Sequence, residues 1–137
     1  MDTAIVEEPP RERSRVIIGV AVLMLVEAAS LGVASGLHLL GLVHGRSSSF
    51  NPDAAGIAEA IIGSILALAA VLMLRSPARY RRIGVAATAF ALIGFLVGIG
   101  ETTTGGHAPD ITFHAVVIPL LVTGLMLLIR SGGAVAR

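Results

Sequence analysis

Four long apolar stretches, at residues 16–43, 54–74, 83–100 and 111–129, leave this chain little choice of environment. A helix needs roughly 20 mainly apolar residues to cross the hydrocarbon core of a bilayer. The third and fourth stretches are at the short end, but each is bounded by polar or charged segments. "VIIGVAVLML" and "LALAAVLML" are apolar on every side, whereas a helix in a water-soluble bundle alternates apolar and polar faces. Charged residues make up only 14% of the 137, against about a quarter in soluble domains. The pattern argues against a soluble globule and predicts an all-α, polytopic membrane protein. Its four-helix transmembrane bundle would span residues 16–130, between short tails at 1–15 and 131–137. The first apolar run is too long for the core of a cleaved signal peptide, about 7–15 residues, and it contains Glu27. A retained first helix is therefore expected.

Arginine placement orients the bundle. Every basic residue is an arginine. Arg11, Arg13 and Arg15 precede the first span, Arg75, Arg79, Arg81 and Arg82 fill the link between the second and third, and Arg130 and Arg137 follow the fourth. Only Arg46 lies in the other two links. The positive-inside rule places both termini in the cytoplasm, as expected of a multi-pass protein of the cell membrane. The lipid bilayer is then its first partner, a membrane-protein partner or a second copy is expected beside it, and no nucleic-acid partner is expected. Cysteine is absent, which excludes thiol–disulfide exchange and thiolate metal sites.

Local signals mark the helix ends. Asn51 is a candidate N-cap, with Pro52 at the first helical position and Asp53 in the first turn. Pro77 ends the second helix, Asp110 is a candidate cap for the fourth, and Pro119 is expected to kink it. Small residues recur at Ala28, Gly32 and Gly36 on the first helix and at Ala87, Ala91, Gly94 and Gly98 on the third. Such stripes let membrane helices approach closely, within one bundle or between subunits.

Polar residues inside the spans carry the functional signal. An acid at the helix centre costs about 2.5–3.5 kcal/mol on insertion scales, so a retained one needs a reason. Glu59 falls in the outer third of its helix, with Ala55, Gly56 and Gly63 as small neighbours; these are expected to leave a pocket beside it. Glu27 falls near mid-membrane, and His38 shares its helical face. Asp110 and His114 share a face at i, i+4, Glu101 ends the third helix, and His107 lies in the adjoining link. The polar groups thus gather in the outer half, while the inner half is almost purely apolar. Glu27, Glu59 and His114 are the candidate ligand-binding or proton-relay residues, with His114 a candidate hydrogen-bond partner for either acid. No buried basic residue is expected beside the acids. His38, Glu59, Asp110 and His114 are the candidate metal or haem ligands. Each also has a plain role: Asp110 as a cap, His38, His107 and Glu101 at lipid head groups, and Glu27 and Glu59 in hydrogen bonds across the bundle.

"AGIAEAIIGSILALAAVLML", followed by an arginine-bearing turn and a third apolar helix, resembles the DoxX-like family of small four-helix membrane proteins. "SGLHLLG" and "PDITFHAVVIPLL" fit the same likeness, which covers residues 16–130. Glu59 carries over by position, and Glu27 does not map onto the family pattern. The resemblance implies a membrane-linked redox role, such as the small subunit of a quinone oxidoreductase. Quinone, metal and haem are the cofactor classes considered. The other function classes are transport of protons or a small solute, which the apolar inner half opposes, and a structural assembly subunit. No dinucleotide fingerprint or obvious catalytic nucleophile assigns an enzyme activity.

Overall fold

The computed structural model describes residues 10–43, 46–47 and 50–132. It contains four helices: α1 (Pro10–Leu39), α2 (Pro52–Arg75), α3 (Pro77–Gly105) and α4 (Ala108–Arg130). Each is long and apolar enough to cross a membrane. Much of the tail read at 1–15, and residues 133–137 of the tail read at 131–137, lie outside the described residues.

Observed helix ends differ from those expected, for local reasons. α1 begins at Pro10, within the stretch read as a tail, because proline at a first helical position gives up an N–H that has no helical partner. It ends at Leu39 rather than 43, where Gly41 adopts φ +67°. Gly41 N–H then donates to the His38 carbonyl and Leu42 N–H to the Leu37 carbonyl, both at 3.0 Å, closing the helix in a Schellman motif. The link "RSPARYRR" shrinks to Ser76 alone, since Pro77 starts α3 directly. α3 also continues beyond residue 100, where the Thr102, Thr103 and Thr104 hydroxyls bond back to the carbonyls of Gly98, Gly100 and Glu101. At 1.5 Å per residue α1 and α3 extend about 45 Å, more than the hydrocarbon thickness of about 30 Å. Asn51 caps α2 as expected, its Oδ1 accepting from Ala54 N–H at 3.1 Å.

The helices pack in the ring order α1–α2–α3–α4, with α2 and α4 on opposite sides and out of contact. The start of α1 and the end of α4 therefore fall at one end of the bundle, the arginine-bearing one. Glycines set the closest approaches. A Cβ on Gly63 would lie 3.2 Å from the Leu31 Cβ and 3.3 Å from the Ala28 carbonyl. On α3, Gly94 makes room for Ile62, and on α4 Gly124 faces Val20. The α1 stripe divides: Ala28 meets Gly63, but a Cβ on Gly32 or Gly36 would touch nothing within 4 Å.

Most of the core sits in the arginine-bearing half, where Val20, Ala21, Met24, Leu66, Ala70, Met73, Ala91, Leu121 and Leu128 are all buried. Outward faces are apolar too. Val26, Val33, Leu68, Ile93 and Val97 are each about 60% exposed or more, which suits helices solvated by lipid rather than water. At the arginine-bearing end Arg81 donates to the Leu128 carbonyl at 2.7 Å, satisfying an orphan acceptor in the last turn of α4.

Candidate functional site

Towards the other end the helices part around a cavity of about 910 Å³. All four contribute to its lining: His38 from α1, Glu59 from α2, Phe95, Gly98 and Glu101 from α3, and Asp110, Phe113 and His114 from α4. Phe50 and Asn51, in the approach to α2, complete the wall on that side. Its rim includes Val33 and Val97, each 65% exposed on the outside of the bundle. An opening edged by such side chains suits entry of an apolar molecule from the bilayer.

The α1–α2 wall is built on two contacts. Ser35, buried on α1, donates its hydroxyl to the Gly56 carbonyl on α2 at 2.7 Å. Gly56 has no Cβ to hold the helices apart; one there would lie 2.8 Å from the Leu39 Cγ and 3.1 Å from the His38 Cβ. That approach brings His38 Nδ1 to 2.8 Å from Glu59 Oε2. A carboxylate accepts, so the imidazole N–H donates from Nδ1, which leaves Nε2 as the ring's remaining group. His38 is only 4% exposed, and its buried Nε2 has no partner among the described residues. Phe50 packs against the ring at a centroid distance of 6.0 Å.

The opposite wall holds the second imidazole. His114 Nδ1 donates to the Asp110 carbonyl, one turn earlier on α4, at 2.8 Å. Its ring lies 5.0 Å from that of Phe95 and meets the edge of Phe113. Nε2 points at α3, where a Cβ on Gly98 would approach it to 2.9 Å. Gly98, read as part of a packing stripe, is thus the clearance for this imidazole. Asp110 is the third residue of the helix it caps: its Oδ2 accepts from the His107 N–H at 3.1 Å, a first-turn contact that also suits the helix dipole.

The structure brings His38, Glu59, Glu101, Asp110 and His114 onto one cavity and leaves Glu27 out of it. Leu31, one turn further along α1, lines the cavity, whereas Glu27 is buried beneath it, 4% exposed, with Oε1 unpartnered among the described residues. The hydrogen-bond partner of Glu59 is His38, not His114. Gly56 and Gly63, expected to hold a pocket open, instead admit α1; Ala54, Ala55 and Ala58 line the cavity. Among the described residues no three histidine or carboxylate side chains gather closely enough to hold a metal ion.

Several features here were not anticipated. Three of the four phenylalanines, Phe50, Phe95 and Phe113, line the cavity in a chain with no tryptophan and one tyrosine. That scarcity was a usable signal. Arg46 is another: its N–H donates to the Gly105 carbonyl at 2.8 Å and its Nε to the Gly106 carbonyl at 2.6 Å, tying the α1–α2 link to the α3–α4 link beside the cavity. Compared with protein-family models, curated proteins and solved structures, the chain has no match among them.

Proposed function

We propose that this small integral membrane protein takes a lipid-soluble ligand from the bilayer into its outer-half cavity, as a redox-linked, quinone-interacting accessory subunit of the cell membrane. The observation that carries the proposal is the pairing of a large, mainly apolar cavity with two imidazoles on opposite walls. An apolar body buries against the phenylalanines and alanines while the head meets Glu59, His38 and His114, the division of labour usual in ligand pockets. The His38–Glu59 pair suits proton exchange with a bound head group. Electrons would come from a partner subunit. Membership of the DoxX-like family belongs to this proposal and rests on the sequence likeness alone.

The test is to purify the protein in mild detergent, extract it with organic solvent and identify co-purifying lipid-soluble molecules by mass spectrometry. A quinone-type molecule at near-stoichiometric amount, lost in Glu59→Ala and His114→Ala variants that still assemble, supports the proposal. Only bulk lipid, equal in wild type and variants, overturns it. An absorption spectrum of the same sample tests for haem. A second function, assembly with a partner or a second copy, is favoured by one observation: Gly32 and Gly36 present a small-residue face that nothing among the described residues covers.

A further inference from the structure

The hydrogen-bonding inventory of the cavity is one-sided. Its hydroxyls have already given their protons to the chain, Ser30 to the Val26 carbonyl at 2.8 Å and Thr102 to the Gly98 carbonyl at 2.8 Å. Both imidazoles have likewise spent their Nδ1 protons, on Glu59 and on the Asp110 carbonyl. In a neutral ring each Nε2 is then an acceptor. Glu59, Glu101 and Asp110 add carboxylate oxygens, and no arginine lies on the lining. Asn51 alone keeps an amide donor, and it sits exposed at the mouth with its oxygen engaged as a cap.

From this inventory we infer that the cavity selects amphiphiles whose head donates hydrogen bonds, a hydroxyl or a primary ammonium, over those whose head only accepts. The inference rests on the proposed ligand cavity and names the chemistry of its ligand. A carbonyl or ether head placed against these groups, an oxidised quinone included, leaves acceptor facing acceptor, with the desolvation of both uncompensated, so of a quinone–quinol couple the quinol is the form that fits. A hydroxyl gives its proton to Glu59 or to an imidazole. An ammonium does the same, gains from the unpaired carboxylates, and can rest on the faces of Phe50, Phe95 and Phe113. The unpartnered, buried Nε2 of His38 is the same shortage of donors seen within the protein.

Two matched pairs of probes test it without redox chemistry. The protein in lipid nanodiscs is titrated with 4-nonylphenol and with its methyl ether, and separately with decylamine and with the methyl ketone of equal length. Bound probe is counted by native mass spectrometry against empty nanodiscs. The donor of at least one pair is expected to bind tighter by about tenfold or more, since sites built around a ligand hydroxyl reject analogues lacking it by larger factors still. Whichever pair shows the preference tells whether hydroxyl or ammonium is the better head. Equal binding within both pairs, or preference for the ether or ketone, overturns the inference while leaving the cavity proposal standing. No specific binding of any probe overturns both. Glu59→Gln, which adds an amide donor at that wall, should narrow the preference. The wild-type pairs decide the matter, so a variant that fails to fold leaves the test intact.

Discussion

His38 on α1 and Glu59 on α2 meet across the helix interface at 2.8 Å, and the pair forms one wall of the cavity. Their reach depends on Gly56, which lets α1 lie against α2 one turn from the acid. The contact closes a polar gap that the bilayer would otherwise penalise.

Removing both partners should therefore cost less than the sum of removing each alone. His38→Ala and Glu59→Ala are each expected to destabilise the bundle by about 1–3 kcal/mol, the cost of stranding a buried polar group. The double variant should fall short of their sum. A double-mutant cycle on detergent-solubilised protein, read by unfolding midpoint, checks this, and strict additivity would show the pair uncoupled.

Glu27 makes the contrary case. Its Oε1 is buried beneath the cavity with no partner, so an apolar side chain of similar length should serve the fold as well or better. Glu27→Leu is expected to hold or raise the melting temperature and to leave cavity binding unchanged. A loss of several degrees would mean that the carboxyl supports the fold after all.

Gly98→Ala places a methyl where His114 Nε2 now approaches. The imidazole must swing away from α3, while the helix itself gains from the better helix former. Probe binding should drop about tenfold or more, as when buried polar groups are left unpaired, with assembly and melting temperature nearly intact. Gly56→Ala is the harsher variant: the new Cβ meets Leu39 Cγ and His38 Cβ, stem atoms near the α1 backbone rather than the far ends of side chains. Overpacking there should cost about 1–3 kcal/mol and break the His38–Glu59 contact.

A chain without cysteine allows a clean test of orientation. Single cysteines at Thr104 and at Ser76, near opposite ends of α3, should react differently with a membrane-impermeant maleimide on intact cells. Thr104→Cys is expected to label from outside, and Ser76→Cys only after permeabilisation. The reverse pattern would invert the bundle and put the cavity in the inner leaflet.

How much of this was legible beforehand differs from residue to residue. The spans, the helix-breaking links and the end at which Glu59, Glu101, Asp110 and His114 collect follow from position along the chain, because hydropathy and the rise per residue are one-dimensional properties. Asn51 was readable as a cap for the same reason: capping is local. Gly41, the Schellman glycine, is an equally local signal, and it ends α1 inside the longer apolar run. The pairing of His38 with Glu59 was not legible. A helix that is apolar all round carries no hydrophobic stripe to set its rotation, so its facing residues are chosen by close packing against neighbours.

Sequence by itself determined that this chain crosses a membrane four times, with all its arginines but Arg46 at one end and its acids and imidazoles, Glu27 apart, towards the other. Charge and hydrophobicity act at every residue whatever its neighbours, so their distribution along the chain is enough. Only the tertiary structure decided that Gly56 and Gly63 draw α1 onto α2, that Gly98 clears space for His114, and that Glu27 lies beneath the cavity rather than in it. Those outcomes depend on contacts a few ångströms long between residues far apart in sequence, where one missing Cβ sets how closely two helices can lie.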